Sequence, residues 1–74
     1  MTDRDRIDTA LLAAHATGNK AALIALYSEA AELEAREAAS FFLTHAYIHA
    51  LEAGDARAAP LRAALVAAGA ETAA

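Results

Sequence analysis

Two short turn signals, 36 residues apart, divide this chain into two similar stretches. Gly18-Asn19 and Gly54-Asp55 each close an alanine-rich amphipathic run. At this offset the matched pairs are Ile7 with Leu43, Ala10 with Ala46, Leu12 with Ile48 and Ala14 with Ala50. A period of roughly 34 to 40 residues is typical of proteins built from repeated two-helix units. Such units mostly form binding surfaces, so the pattern favours an interaction role over catalysis.

The length of the chain limits how large a core it can bury. Its 74 residues are sufficient for one small domain, 1–74, and the absence of cysteine excludes disulfides and thiolate metal sites. Hydrophobic residues make up 58% of the chain, but about a third of the chain is alanine, which buries little area per residue. We therefore expect a thin core, stabilised by regular helix packing or by self-association.

The charge pattern argues against two classes of partner. The net charge is −4, and the six basic residues are spread without a cluster. Neither nucleic acid nor an anionic membrane surface is expected as a partner, because both attract clustered positive charge. The charged start of the chain does not look like a signal peptide, and the longest uncharged stretch, 38–51, is too short to span a bilayer. We expect a soluble, cytoplasmic protein.

The helical period runs through the chain, and no segment has the pattern of a strand. The first helix is predicted at about 3–16, with Thr2 as its N-cap and Gly18 in the left-handed conformation at its end. Asn19 then caps a second helix at about 20–35. Together they form a predicted hairpin over about 3–35.

The second hairpin is predicted over about 38–68, and where it starts is the least defined point. No Gly or Pro interrupts 20–53, so a single long helix is the alternative to a bend between residues 34 and 40 with Ser40 as an N-cap. The third helix, about 38–53, is apolar on most of its circumference, which is typical of a central helix. Gly54 ends it, and Asp55 is expected to cap a fourth helix at about 56–68, with a start near Pro60 as the alternative. A tail follows at 70–74.

The second hairpin carries a family resemblance. The stretch Ala46-Tyr47, Leu51-Glu52-Ala53-Gly54-Asp55 and Ala59 resembles a tetratricopeptide-like helical hairpin. The resemblance implies stacked helical hairpins and a general ability to bind proteins, and it assigns no ligand-binding residues. The fold class is therefore all-α, with four helices in two antiparallel helix–turn–helix hairpins, either tetratricopeptide-like or a four-helix bundle.

His45, His49 and Glu52 follow the spacing i, i+4 and i+7, which places them on one helix face. Two imidazoles and a carboxylate at this spacing can bind Zn²⁺, so they are the metal-site candidates. The HExxH protease pattern is absent. We interpret the face as the polar strip of an otherwise apolar helix and predict no metal or other cofactor. A pH-sensitive contact is a further alternative.

Phe41 and Phe42 are adjacent, so their side chains point about 100° apart on a helix. One core hides both only if the helix is covered on several sides. The alternative is that one of them, with Phe42 favoured, lies at an interface, because aromatic residues are enriched there. The candidate partner-binding residues are Phe41, Phe42, His45 and His49.

No pattern in the chain predicts catalysis. The serines have no neighbouring histidine or Gly-rich elbow, and the three glycines stand apart, so no phosphate-binding loop is expected. The sequence favours a non-catalytic protein–protein interaction module, a small adaptor or accessory subunit that binds itself or another protein. The alternative function is a histidine-based metal-binding helical bundle. The identity of the partner does not follow from the residues.

Overall fold

Four helices follow one another without a strand in the part of the chain that the structure, a computed structural model, describes. That part is residues 2–69, apart from the side chain of Arg36. The helices are α1 (Asp3–Thr17), α2 (Lys20–Glu32), α3 (Arg36–Ala53) and α4 (Ala58–Ala67). The all-α prediction is confirmed. The predicted tail at 70–74 lies outside the described residues.

Local hydrogen bonds define the start of α1. The Thr2 hydroxyl accepts from the Asp5 backbone N–H at 3.1 Å, and the Asp5 carboxylate accepts from the Thr2 N–H at 3.3 Å. This reciprocal pair is a capping box, which satisfies two N–H groups that the first helical turn leaves without partners. The sequence therefore places this boundary correctly.

The turns at Gly18 and Gly54 have the same geometry. Their φ angles are 65° and 63°, as predicted for glycines at helix ends. After Gly18, the Asn19 N–H donates to the carbonyl of Ala14 at 3.0 Å, and after Gly54 the next N–H makes the equivalent bond at 2.8 Å. Asn19 also caps α2, because its side chain accepts from the Ala22 N–H at 3.1 Å. Both turns therefore close helices by the same backbone pattern.

The Ser40 cap is wrong, although the predicted bend is present. Ser40 lies inside α3, and its carbonyl accepts from the Thr44 hydroxyl at 2.8 Å, so it is no N-cap. The chain bends at 33–35, at the early end of the predicted interval, and Ala35 precedes α3 without a side-chain cap. The fourth helix starts at Ala58, between its two predicted starts, because the Asp55 carboxylate binds the Arg57 N–H and guanidinium, each at 2.9 Å. These bonds hold residues 55–57 in a turn before α4.

The helices pack in chain order. α1 packs on α2, α2 on α3 and α3 on α4, and no other pair of described helices brings its Cα atoms within 8 Å. The Cα atoms occupy a flat volume of 38 × 28 × 13 Å. α3 is central, as predicted, since it packs against helices on two sides. No helix in residues 2–69 is long and apolar enough to cross a membrane.

A small set of side chains forms the core. Ile7, Ile24 and Ala46 have no exposed surface, and Leu65 is 1% exposed. The full buried set is Ile7, Ala14, Leu23, Ile24, Ala30, Ala31, Ala46, Ala50, Leu61 and Leu65. Half of these residues are alanine, so the core is thin in side-chain volume, as the composition predicts.

Arginine–glutamate pairs attach the first half of α1 to α2 and to the bend that follows it. Arg4 binds Glu34 and Arg6 binds Glu29. All four side chains are partly exposed, and such pairs contribute up to about 1 kcal/mol each. Burial of Ile7 between the helices therefore matters more for stability than these ion pairs.

Candidate functional site

Aromatic and histidine side chains from three helices meet around Tyr27 of α2. The Tyr27 ring stacks on His45 and His49 of α3, with centroid distances of 5.0 and 5.7 Å and interplanar angles of 19° and 12°. The Phe42 ring also stacks on Tyr27, with a centroid distance of 6.4 Å. The i, i+4 spacing places both histidines on one side of α3, where they face α2. We call this group, Tyr27, Phe42, His45 and His49, the aromatic face.

α1 joins this face through His15. The His15 Nε2 atom lies 2.8 Å from the Tyr27 hydroxyl, and the His15 ring centroid is 5.9 Å from that of His49. The backbones of α1 and α3 do not approach closely, so the contact of His15 with His49 and that of Arg4 with Phe42 are made by side chains alone. The spacing of the histidines in the sequence does not connect His15 to His49. No local pattern could have found this pair, because 34 residues separate it.

Lys20 of α2 and Glu52 of α3 complete the cluster at this end of the molecule. The Lys20 ammonium donates to Glu52 Oε1 at 2.9 Å and lies 3.3 Å from His49 Nδ1. Glu52 Oε1 is also 3.3 Å from that nitrogen. We call His15, Lys20, Tyr27, His49 and Glu52 the histidine junction. It joins the end of the first hairpin to the last turns of α3.

The junction shifts the pKa values of two of its members. The His49 side chain is only 15% exposed, and this burial, followed by the charge of Lys20, lowers the pKa of His49 below its ordinary value. Glu52 opposes the shift, but its effect is smaller. The hydrogen bond from Lys20, and then the charge of Lys20, lower the pKa of Glu52. His49 is therefore held neutral and Glu52 charged near pH 7.

The metal-site candidates have other partners. His45 and His49 contact the Tyr27 ring, while Glu52 pairs with Lys20. Within residues 2–69, no three His, Asp or Glu side chains are grouped so that they could hold a metal ion. The arrangement instead offers aromatic contact area and imidazoles that can gain a proton.

The two phenylalanines point in different directions, as their 100° offset requires. Phe42 is half-buried between Tyr27 and Arg4, whose guanidinium carbon lies 4.9 Å from the ring centroid. Phe41 is 60% exposed and contacts the His45 ring edge-on at 4.6 Å. The more exposed phenylalanine is Phe41, and the prediction of Phe42 as an interface residue stays a prediction. Which of them faces α2 depends on how α3 is rotated in the packed structure.

An open apolar groove lies between α3 and α4, on the side of α3 away from the aromatic face. Its volume is about 600 Å³. The lining residues are Tyr47, Leu51, Ala58, Ala59, Arg62, Ala63, Val66 and Ala67. Sequence reasoning missed this surface. The available signal was the spacing of Ala59, Ala63 and Ala67, which puts three small side chains along one side of a helix.

Large apolar side chains continue this surface along α3. Ile48 is 47% exposed and Leu51 is 56% exposed. Together with the groove they leave a two-helix apolar surface uncovered at the end of the helix stack.

Comparison of the chain with protein-family models, with curated proteins and with solved structures found no match.

Proposed function

We propose that this chain is a non-catalytic protein–protein interaction module that self-associates through the α3–α4 groove. The single observation that carries the proposal is the apolar groove at the end of the helix stack. Contiguous apolar surface on a small domain favours association, because covering it removes it from water. The resemblance of the second hairpin to tetratricopeptide-like units supports the same role.

A second copy of the chain is the occupant to which we commit. In a two-fold dimer the same surface serves both partners, so a groove between two helices can pack on its own counterpart as a four-helix arrangement. The small side chains of Ala59, Ala63 and Ala67 suit this arrangement, since helices approach more closely where contact residues are small.

The size of the surface sets the expected strength. The 18 residues of α3 and the 10 residues of α4 give lengths of about 27 and 15 Å at 1.5 Å per residue. With each helix about 10 Å wide, the flat footprint is on the order of 400 Å². The accessible area of this surface is larger than its flat footprint, because the surface is corrugated. It is still smaller than the roughly 800 Å² that each partner buries in a stable interface of standard size. We therefore expect a dimer with a micromolar or weaker dissociation constant.

Sedimentation equilibrium on the full chain tests the proposal. The average mass should rise from 7.6 kDa towards twice that value as concentration increases from about 1 µM to about 1 mM. Ala63→Glu places a carboxylate in the groove and should weaken association at least about tenfold, because burying an unpaired charge is costly. Ala13→Glu is the matched control, since Ala13 is an exposed helical alanine of α1 outside the groove.

Two results would refute self-association through this groove. One is a wild-type chain that stays monomeric at every concentration. The other is equal association by the two glutamate variants. If the wild-type chain is monomeric and binds an apolar dye, and Ala63→Glu abolishes this binding, the groove is a ligand site and a second copy is not its occupant.

A further inference from the structure

We propose that the histidine junction is a pH-sensitive contact that weakens the docking of the first hairpin on α3 when His15 and His49 are protonated. This inference goes beyond the proposed interaction function. Tyr47 and Leu51, which line the groove, are each two residues from His49, and this places them about 200° around α3 from it. The junction and the groove therefore lie on opposite sides of α3.

The two imidazoles of the histidine junction lie on different helices. His15 of α1 and His49 of α3 lie with ring centroids 5.9 Å apart, while the backbones of these helices do not approach closely. When both rings are neutral, the contact is an edge-to-face packing of aromatic rings, which is favourable. When both are protonated, it becomes a contact between like charges.

Lys20 lies beside one of these imidazoles. Its ammonium lies 3.3 Å from His49 Nδ1. A neutral imidazole can accept a hydrogen bond at that nitrogen, but a protonated imidazole has donors only. Protonation of His49 thus converts an attraction between α2 and α3 into a repulsion between two cations.

The groups that oppose this effect are fewer. The charged or titratable groups facing His49 are His15 from α1, Lys20 and Tyr27 from α2, and Glu52 from α3, with His45 one turn before it. Glu52 is the only anion among these described groups, and its shorter contact is the 2.9 Å bond from Lys20.

The direction of the pH dependence follows from linkage. The pKa of His49 is lower in the folded chain than in the unfolded chain, so below the ordinary histidine value of about 6.5 the unfolded state binds more protons. Stability from this group is complete above that pH and falls as the pH decreases towards the lowered pKa. Carboxylates ordinarily titrate near pH 4, so a window from about pH 7.5 to about pH 5.5 isolates the histidines.

The size of the effect can be bounded from the ring separation. Two unit charges about 6 Å apart repel each other by an energy that depends on the effective dielectric constant. From the value of bulk water to that near a protein surface, this energy corresponds to a factor of roughly 3 to 100 in an equilibrium constant. At pH 5.5, one unit below the ordinary histidine pKa, a histidine kept neutral in the folded state lowers the folding equilibrium constant by at most about tenfold. We therefore expect this constant to fall by about twofold to tenfold for the wild-type chain between pH 7.5 and pH 5.5, measured by urea unfolding with circular dichroism.

Three variants separate this mechanism from a general effect of acid. His49→Gln should remove most of the pH dependence and His15→Gln should reduce it, whatever they do to stability at pH 7.5. His45→Gln is the matched control, because the ring contacts of His45 are with Phe41 of α3 and Tyr27 of α2, and it should keep the wild-type dependence. Lys20→Met should reduce the dependence while both imidazoles of the junction remain, and it serves if a glutamine variant does not fold.

A local measurement completes the test. Hydrogen exchange, corrected for the intrinsic effect of pH, measures the protection of each amide at both pH values. Between pH 7.5 and pH 5.5, protection should decrease more for residues 14–20 and 49–53 than for the amides of α4. The proposal is overturned if wild-type stability is the same at both pH values. It is also overturned if His45→Gln abolishes the dependence as fully as His49→Gln.

Discussion

Gly54 offers a test in which the cost of one methyl group follows from the backbone alone. Its φ and ψ angles are 63° and 33°, in the left-handed region. A Cβ atom added at Gly54 would meet no atom within 4 Å. Steric crowding by neighbours is therefore excluded, and Gly54→Ala measures only the strain of placing an L-residue in this conformation.

The expected magnitude is about 1 kcal/mol. An L-residue pays roughly 1–2 kcal/mol in the left-handed region, and the lower entropy of the unfolded alanine chain offsets part of this. A domain of 74 residues has a total stability of roughly 4–11 kcal/mol, so the loss is readily measured. It corresponds to a decrease in melting temperature of about 4–8 °C.

Urea unfolding followed by circular dichroism is the assay, with two companion variants. Gly54→Asn should cost less than Gly54→Ala, because asparagine tolerates the left-handed region better. Gly18→Ala should cost about as much as Gly54→Ala, because φ there is 65° and the position is equally open. If Gly54→Ala is neutral, or if alanine and asparagine cost the same at residue 54, the assignment of backbone strain to this turn is wrong.

Two further predictions concern the core and the candidate metal ligands. Ile24→Ala should lose about 2–5 kcal/mol in urea unfolding, because Ile24 is fully buried, whereas Leu12→Ala should change stability by less than about 0.5 kcal/mol, because Leu12 is 74% exposed; similar losses would contradict the described core. Addition of EDTA should leave the melting temperature unchanged, because His45 and His49 pack on Tyr27; a decrease that zinc reverses would promote the metal-binding alternative.

Part of the fold was open to prediction because it depends on neighbours in the sequence. The capping box at Thr2 and the left-handed Gly18 and Gly54 need only residues within five positions of each other. The N-cap of α3 was placed too late, because neither Gly nor Pro marks the bend and Ala35 provides no cap. Where local signals are weak, packing decides where a helix begins.

The candidate sites were predictable only in part, for the same reason. The spacing of His45 and His49 correctly put both on one face, but it could not show that Tyr27 fills the space beside them. Ile24 of α2 is fully buried, whereas Leu33, just after this helix, is 48% exposed. Both are large apolar residues, so packing of α2 between two helices decides which of them is covered.

The sequence by itself determined the all-α class, two glycine turns and a thin alanine-rich core, since hydrogen bonding and side-chain periodicity act over a few residues. Only the tertiary structure decided which phenylalanine faces solvent, that His15 meets His49, and that a groove remains between α3 and α4. These features depend on how each helix is rotated and tilted against its neighbours. That choice is made by the packing of side chains distant in sequence, which no local pattern records.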